Sequence, residues 1–141
     1  MSPAAAPFRL AVRVYWEDTD AGGVVFYANY LKFFERARTE WLRERGFGQE
    51  ALRRDHDTLF VVTDTALRFV RPARLDDLLS VTVEVRKAGG ASLQLAQQAF
   101  RLIDGGASEL LAEGTIRIGC VGAGTFTPRR IPKDLLTTTS R

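Results

Sequence analysis

The first clear pattern in the chain is an alternation of apolar residues with polar or small ones. Leu10, Val12, Val14 and Trp16 occupy every second position, and this period of two is typical of a strand with one buried face. The alternation stops at Glu17, where a short acidic loop begins. We therefore expect a strand that ends at this loop and carries Trp16 on its apolar face.

Beyond the loop, the apolar residues follow the period of a helix. From Tyr30 they recur at the i, i+3, i+4 and i+7 spacing, while the charged residues lie mostly on the other side. Asn29 is a candidate N-cap and Gly46 a candidate C-terminal stop. A short second helix is expected over residues 49–54. The apolar positions of the long helix are Phe33, Phe34, Ala37, Trp41 and Leu42.

The rest of the chain has strand patterns separated by turn signals. Alternate residues of 81–85 and of 116–120 are apolar, which indicates one buried face in each segment. The glycine pairs within 88–91 and 104–107 predict hairpin connections, and Pro72 is expected to close a strand. The predicted strands are 59–71, 80–86, 92–103 and 110–121.

One strand, one long helix and four further strands predict an α+β fold, in which a mainly antiparallel sheet covers one helix. A chain of 141 residues with 45% hydrophobic composition suits a single domain, with residues 1–7 and 137–141 as flexible tails. The apolar stretches are shorter than the roughly 20 residues of a membrane-spanning helix. Residues 1–7 lack the basic start and apolar run of a signal peptide. We expect a soluble, cytoplasmic protein.

The charge of the chain bears on whether it binds nucleic acid or another charged partner. The net charge of +3 accompanies basic residues that are spread along the chain and mixed with acids, which favours a solvated surface over nucleic-acid binding. The charge pattern leaves open the alternative of a local basic patch that binds the phosphates of a ligand or an acidic carrier protein.

Cys120 is the single cysteine and His56 the single histidine, so we predict no disulfide and no metal site. Cys120 falls at one of the alternating apolar positions of its predicted strand and is expected to pack in the core.

The candidate chemistry lies in the acidic loop that precedes the long helix. Asp18 and Asp20 come shortly before a helix start, where free N–H groups and the helix dipole stabilise an oxygen that becomes negative. A nearby carboxylate can serve as nucleophile or general base. Gly22 and Gly23 permit a tight turn and a close approach to a ligand. Taken alone, these residues are described more simply as a solvated turn that caps a helix.

Residues 17–25, with Ala28, Tyr30 and residues 34–40, resemble the Tol-Pal-associated acyl-CoA thioesterases, which are relatives of the 4-hydroxybenzoyl-CoA thioesterases. The resemblance implies the hotdog fold, in which a curved, mainly antiparallel five-stranded sheet wraps one long helix. It also implies dimers that usually pair into a homotetramer, with the active site at a subunit interface. The similarity extends through residues 60–62, 73–77, 90–93, 120–121 and 128–132.

The resemblance implies specific roles for residues of the loop and the helix start. Asp20 corresponds to the catalytic carboxylate, and the backbone N–H of Tyr27 corresponds to the donor that polarises the thioester carbonyl. Whether Asp20 attacks the carbonyl carbon or activates a water molecule stays open. Glu35 either reaches the acyl pocket or pairs with Arg38 on the surface. The predicted substrate-binding residues are Gly22, Gly23, Val25, Phe26, Glu35, Arg86 and Lys87.

The chain departs from the family pattern at two points. Many Tol-Pal-associated members have a histidine where this chain has Tyr27, so the acyl class is left open. The aromatic branch has basic residues near Gly89 and Gly90 that meet the coenzyme A phosphates. Arg86 and Lys87, just before that turn, are the candidates to replace them.

These features predict an enzyme that hydrolyses acyl-CoA thioesters, and by extension acyl carrier protein thioesters, without a metal or redox cofactor. One rival is an adaptor of the cell envelope or of phospholipid synthesis that binds an acyl ligand or acyl carrier protein. The carboxylate of Asp20 favours catalysis, because an adaptor has no need of it. A second rival is hydration or dehydration of acyl thioesters, which pairs an aspartate with a histidine and for which the chain offers only His56.

Overall fold

The computed structural model describes residues 6–136. Of the predicted tails, residues 1–5 and 137–141 lie outside the described residues. The helices and strands are β1 (Phe8–Arg13), α1 (Asn29–Glu44), α2 (Gln49–His56), β2 (Thr58–Phe69), β3 (Leu78–Ala88), β4 (Ser92–Leu102) and β5 (Ser108–Gly122), with 3-10 turns at Trp16–Asp18 and Lys133–Leu135.

The five strands form one antiparallel sheet in the order β1-β3-β4-β5-β2. Two tight hairpins join β3 to β4 and β4 to β5, as the glycine pairs predict. Gly105 and Gly106 have φ angles of 91° and 86°, a left-handed conformation that glycine adopts without steric cost. Because β2 and β3 are not neighbours, the segment 70–77 must cross from one side of the sheet to the other. This crossing segment packs against the acidic loop.

Helix α1 lies across the sheet and buries the predicted apolar stripe. Phe33, Phe34 and Ala37 are completely buried and join one cluster with sheet residues such as Val81 and Leu95. Burial of each large side chain contributes roughly 1.5–3 kcal/mol. Cys120 is also buried, which confirms its predicted packing. In the described part of the chain, no helix is long and apolar enough to cross a membrane.

The core contains one polar side chain that sequence patterns did not identify. Gln97 is completely buried on β4, and its amide nitrogen donates to the carbonyl oxygens of Phe34 and Thr82, each at 3.1 Å. Its oxygen accepts a hydrogen bond of 2.8 Å from the guanidinium of Arg38. A buried amide with all its partners costs little and ties α1 to the sheet in one register.

The first strand ends earlier than its alternation predicts. Val14 is completely buried and still bonds the crossing segment, since its N–H donates to the Asp77 oxygen at 2.9 Å. The chain then enters the 3-10 turn, and Trp16 is 79% exposed. The prediction of an apolar-face Trp16 is therefore wrong. The cause is Asp18, whose carboxylate accepts the Tyr15 N–H at 2.8 Å and bends the chain out of the sheet.

The predicted ends of α1 are partly correct. Gly46 follows the helix with a φ of 87° and donates to the Arg43 oxygen at 3.0 Å, as a C-terminal stop does. The N-cap is Ala28 rather than Asn29, and no side chain caps the helix start. Asn29 is instead the first helical residue, and its side chain is committed to Asp18.

Candidate active site

The acidic loop is fixed to the crossing segment at one end of the sheet. The Val25 N–H donates to the Ala73 oxygen at 2.8 Å, and Val24 forms a β-bridge with Arg74. A second bridge joins Thr19 to Val25 within the loop. The residues before and after the turn at 20–23 therefore lie side by side, and the loop has a defined shape.

Asp20 lies at the tip of this loop and is exposed. One carboxylate oxygen, Oδ1, accepts the Gly22 N–H at 2.8 Å, and no described residue donates to the other oxygen. A Cβ at Gly22 would lie 3.2 Å from Oδ1, and Gly23 has a φ of 79°. The two glycines thus let the backbone fold around the carboxylate, which holds one oxygen and leaves the second available.

The segment that leads into α1 carries two unbonded N–H groups. Among residues 6–136, the N–H groups of Tyr27 and Ala28 donate to no acceptor, whereas their neighbours on both sides are bonded. The Phe26 N–H donates to the Asp18 oxygen at 3.0 Å, and the Asn29 N–H donates to the Phe26 oxygen at 2.7 Å. Both unbonded groups lie at the positive end of the helix dipole, where an anionic oxygen is stabilised.

An apolar cavity of about 270 Å³ opens beside the helix start. Tyr27, Tyr30 and Phe69 form its aromatic wall, with the ring centroid of Phe69 lying 6.1 Å from that of Tyr27 and 5.5 Å from that of Tyr30. The remaining lining comes from Val25 and the first residues of the crossing segment. A larger cleft lies elsewhere, on the face of the sheet remote from α1, and contains no residue of the acidic loop. The smaller cavity is the one that Tyr27 lines, and it therefore adjoins the unbonded N–H groups at the helix start.

Tyr30 connects the cavity wall to the crossing segment. Its side chain is buried, and its hydroxyl oxygen accepts the Ala73 N–H at 3.0 Å. Burial raises the pKa of Tyr30 above its ordinary value of 10.0, and the hydrogen bond from Ala73 offsets part of that rise. The phenol therefore stays neutral at physiological pH and has a structural position in the wall.

Phe69 is the wall residue that sequence reasoning missed. It ends β2 and is 47% exposed, and only the tertiary fold brings it next to Tyr27. The one signal in the sequence was its place shortly before Pro72, which marks the strand end as a turning point near the loop.

The predicted substrate-binding residues fall into two groups. Gly22, Gly23, Val25 and Phe26 belong to the loop or to its junction with α1, next to Asp20. Glu35 is exposed on α1, accepts the Thr39 hydroxyl at 2.6 Å and does not line the cavity. Its predicted contact with substrate stays a prediction.

Arg86 and Lys87 lie far from the acidic loop within one chain. The loop follows Arg13, which pairs with Leu78 at the start of β3, whereas Arg86 is eight residues further along that strand. At the rise of a β-strand this separation is about 26 Å. Arg86 is exposed and forms an ion pair of 3.3 Å with Glu84. The single chain does not bring these two cations to Asp20.

His56 is also remote from the loop. It is the last residue of α2 and precedes the start of β2, while the cavity residue Phe69 is at the other end of that strand. Twelve residues of strand separate these ends, so one chain does not pair His56 with Asp20. No group of three or more histidine, cysteine or acidic side chains within residues 6–136 is placed to hold a metal ion, and the predicted independence from cofactors stays a prediction.

Comparison with known proteins places the chain among thioesterases. The family model described as the thioesterase superfamily matches residues 22–107. The chain is 43% identical over 128 residues to the acyl-CoA thioesterase YbgC of Haemophilus influenzae, which covers 91% of this chain and 90% of that protein. Its identity to the acyl-CoA thioester hydrolase YbgC of Escherichia coli is also 43%, over 129 residues and 92% of each chain.

Solved structures agree with this assignment. The crystal structure of a probable thioesterase from Bartonella henselae matches with a TM-score of 0.81 and 34% identity, over 90% of this chain and 100% of that one. The predicted α+β fold, with a five-stranded sheet and one long helix, is confirmed. The chain has the hotdog fold, is a thioester hydrolase and belongs to the thioesterase superfamily.

Proposed function

We propose that this protein hydrolyses acyl-CoA thioesters at the acidic loop. The observation that supports the proposal is the set of chemical groups on the acidic loop and at the helix start, where Val25 and Tyr27 line the apolar cavity. Asp20 offers a carboxylate oxygen that no described residue occupies, and Tyr27 and Ala28 offer two unbonded N–H groups at the positive end of α1. The relatives from H. influenzae and E. coli are acyl-CoA thioester hydrolases, which favours the same substrate class here.

The reaction follows from these groups. The thioester carbonyl oxygen accepts the Tyr27 N–H, and the negative charge that develops on it is stabilised by about 3 kcal/mol. If Asp20 is the nucleophile, its oxygen bonds to the carbonyl carbon, the C–S bond breaks, and water then hydrolyses the mixed anhydride. If Asp20 is the base, it takes a proton from water while the hydroxide adds to carbon and the thiolate leaves. Both routes end in a free acid and coenzyme A.

We also propose that two copies of the chain complete the site. Strand β2 pairs only with β5 in the described chain, so its other edge has no strand partner. Val62 on this strand is an apolar residue that is 51% exposed. A long edge strand with exposed apolar residues is a ready surface for strand pairing.

An antiparallel pairing of β2 with its counterpart would join opposite ends of the two sheets. The start of the second copy's β2 would then lie near Phe69 and the acidic loop of the first. The β3–β4 hairpin is at the same end of the sheet as the start of β2, since Thr58 pairs with Gly122 and Ser92 with Gly119. Arg86 and Lys87 of one copy would thus approach the coenzyme A phosphates bound by the other. The pairing of such dimers into tetramers stays a prediction.

The test measures thiol release from short, medium, long-chain and aryl CoA thioesters, and from acyl carrier protein thioesters, with wild type and Asp20→Asn. We expect the substitution to lower kcat by about 100-fold or more, since it removes the nucleophile or base. Asp76→Asn is the matched control, because Asp76 is exposed in a turn at a φ of 72° that asparagine tolerates. A folded Asp20→Asn protein with the wild-type rate would refute the proposal.

The substrate panel also separates the rival functions. Turnover of carrier-protein thioesters without turnover of any CoA thioester would reassign the substrate class and keep the chemistry. Stable binding of acyl carrier protein with no hydrolysis of either kind would favour the adaptor of the cell envelope or of phospholipid synthesis.

A further inference from the structure

A buried polar pair joins the acidic loop to α1, and the proposed chemistry does not use it. Asp18 is 4% exposed and Asn29 is 7% exposed. The Asn29 amide nitrogen donates to Asp18 Oδ1 at 2.8 Å, and the Tyr15 N–H donates to Asp18 Oδ2 at 2.8 Å. Each carboxylate oxygen of Asp18 therefore has a donor of its own.

The main chain of Asp18 adds a third connection. Its carbonyl oxygen accepts the Phe26 N–H at 3.0 Å. Asp18 is thus bonded through its main chain to Phe26 and through its side chain to Asn29. The residues between these two attachment points are Tyr27 and Ala28, which carry the unbonded N–H groups. Asp18 is also only two residues before Asp20 in the same loop.

The burial of the Asp18 carboxylate has a free-energy cost. A carboxylate that is removed from water loses hydration worth several kcal/mol, which hydrogen bonds only offset. An apolar side chain would pack at such a position without that cost. What the carboxylate adds is direction, because its two bonds fix the turn at Tyr15 and the start of α1 relative to each other.

We propose that Asp18 and Asn29 are positioning residues for the hydrolysis. Their hydrogen bond sets the distance between the Asp20 carboxylate and the N–H groups of Tyr27 and Ala28. The inference rests on the proposed function, since it assigns the pair a role in placing those same groups. Neither side chain contacts the substrate in this scheme.

A reversal of the hydrogen bond tests the role. Asn29→Asp sets two buried carboxylates against each other, and we expect kcat to fall by about 100-fold, the loss that a displacement of about 1 Å causes. KM should change by no more than about threefold, because the binding surface stays intact. Adding Asp18→Asn gives an amide at position 18 that donates to the new carboxylate and still accepts the Tyr15 N–H. The double variant should regain most of the wild-type kcat.

Helix propensity does not explain the expected loss, because an acidic residue at the first position of a helix is favourable. Asn29→Ala, which removes the donor without adding a charge, serves if Asn29→Asp does not fold. A pair with only a structural role would lower the unfolding temperature and leave kcat unchanged well below it.

Two results would overturn the inference. One is a folded Asn29→Asp or Asn29→Ala protein with wild-type kcat, and the other is a folded double variant with no recovery over Asn29→Asp. Asp20→Asn is assayed in parallel, so the two proposals fail separately. Full activity of Asp20→Asn would overturn the proposed function, whereas its inactivity beside a fully active Asn29→Asp would overturn only the positioning role.

Discussion

The backbone donor at the helix start can be removed by one substitution, Tyr27→Pro. Tyr27 is the second residue of a four-residue turn that the Asn29 N–H closes on the Phe26 oxygen at 2.7 Å. Ala28, the third residue, has φ −71° and ψ −16°, which is close to the type I geometry that accepts proline at the second position. Because the Tyr27 N–H bonds no described residue, proline removes the proposed catalytic donor without breaking a hydrogen bond of the fold.

The size of the effect follows from the two unbonded groups. Loss of one donor to the developing oxyanion lowers kcat by about 10² to 10³, and the lower end applies here because the Ala28 N–H remains. The free energy of unfolding should change by less than about 1 kcal/mol, since proline suits the turn and restricts the unfolded chain.

A control variant distinguishes the loss of the Tyr27 ring from the loss of its N–H group. The Tyr27 ring is 64% exposed and contacts Phe26, with centroids 5.0 Å apart, as well as Phe69. Tyr27→Ala loses these contacts and keeps the donor. The assay compares kcat for thiol release by the two variants, with urea unfolding as a check on folding. Equal kcat for Tyr27→Pro and Tyr27→Ala would refute the role of the backbone donor.

Three further predictions concern the fold and its assembly. A Cβ at Gly114 would lie 2.4 Å from a backbone oxygen of β2, so Gly114→Ala should lower the free energy of unfolding by about 2 kcal/mol. Gly119→Ala, whose nearest contact is 3.5 Å, should cost less, and equal urea midpoints would contradict this. Tyr30→Phe leaves the buried Ala73 N–H unbonded and should cost about 2 kcal/mol at pH 7. Because burial raises the pKa of Tyr30 above 10.0, the stability that its neutral form contributes is complete below pH 10 and lost as the pH rises further. The wild type should therefore lose its advantage over Tyr30→Phe in alkaline urea titrations, and a constant difference would be evidence against this. Val62→Lys places a charge on the edge of β2 that no described strand pairs with. It should dissociate the proposed dimer in sedimentation experiments and lower activity with it; a dimer that persists would exclude this edge as the interface.

Local patterns were sufficient to predict most of the secondary structure. The apolar spacing of α1, its end at Gly46 and the hairpin at Gly105 and Gly106 depend on residues that are neighbours in the chain. The alternation at Val12 and Val14 likewise predicted a buried strand face correctly, and it failed only at Trp16. There the carboxylate of Asp18 competes with the sheet for the backbone, and alternation carries no information about that competition.

The arrangement of the candidate site was only partly predictable. Asp20 and Tyr27 are close in sequence, so a motif could relate them. Asn29 was predicted as the N-cap because asparagine is frequent at that position. In the fold its side chain instead donates to the buried carboxylate of Asp18 and does not cap the helix. Phe69 has no sequence neighbour in the loop, and its place in the cavity wall depends on where the crossing segment runs.

The difference between what local sequence patterns encode and what contacts between distant segments add has a physical basis. Residues that are close together in the chain encode the helices, most of the strands, the hairpins and the acidic loop before α1, because backbone conformation and hydrophobic period act over a few residues. The sheet order, the edge of β2 that no described strand pairs with, the cavity between Tyr27 and Phe69, and the bond from Asp18 to Asn29 arise in the folded molecule alone. These depend on packing between distant segments, where burial and unpaired polar groups select one arrangement among many that the local patterns allow.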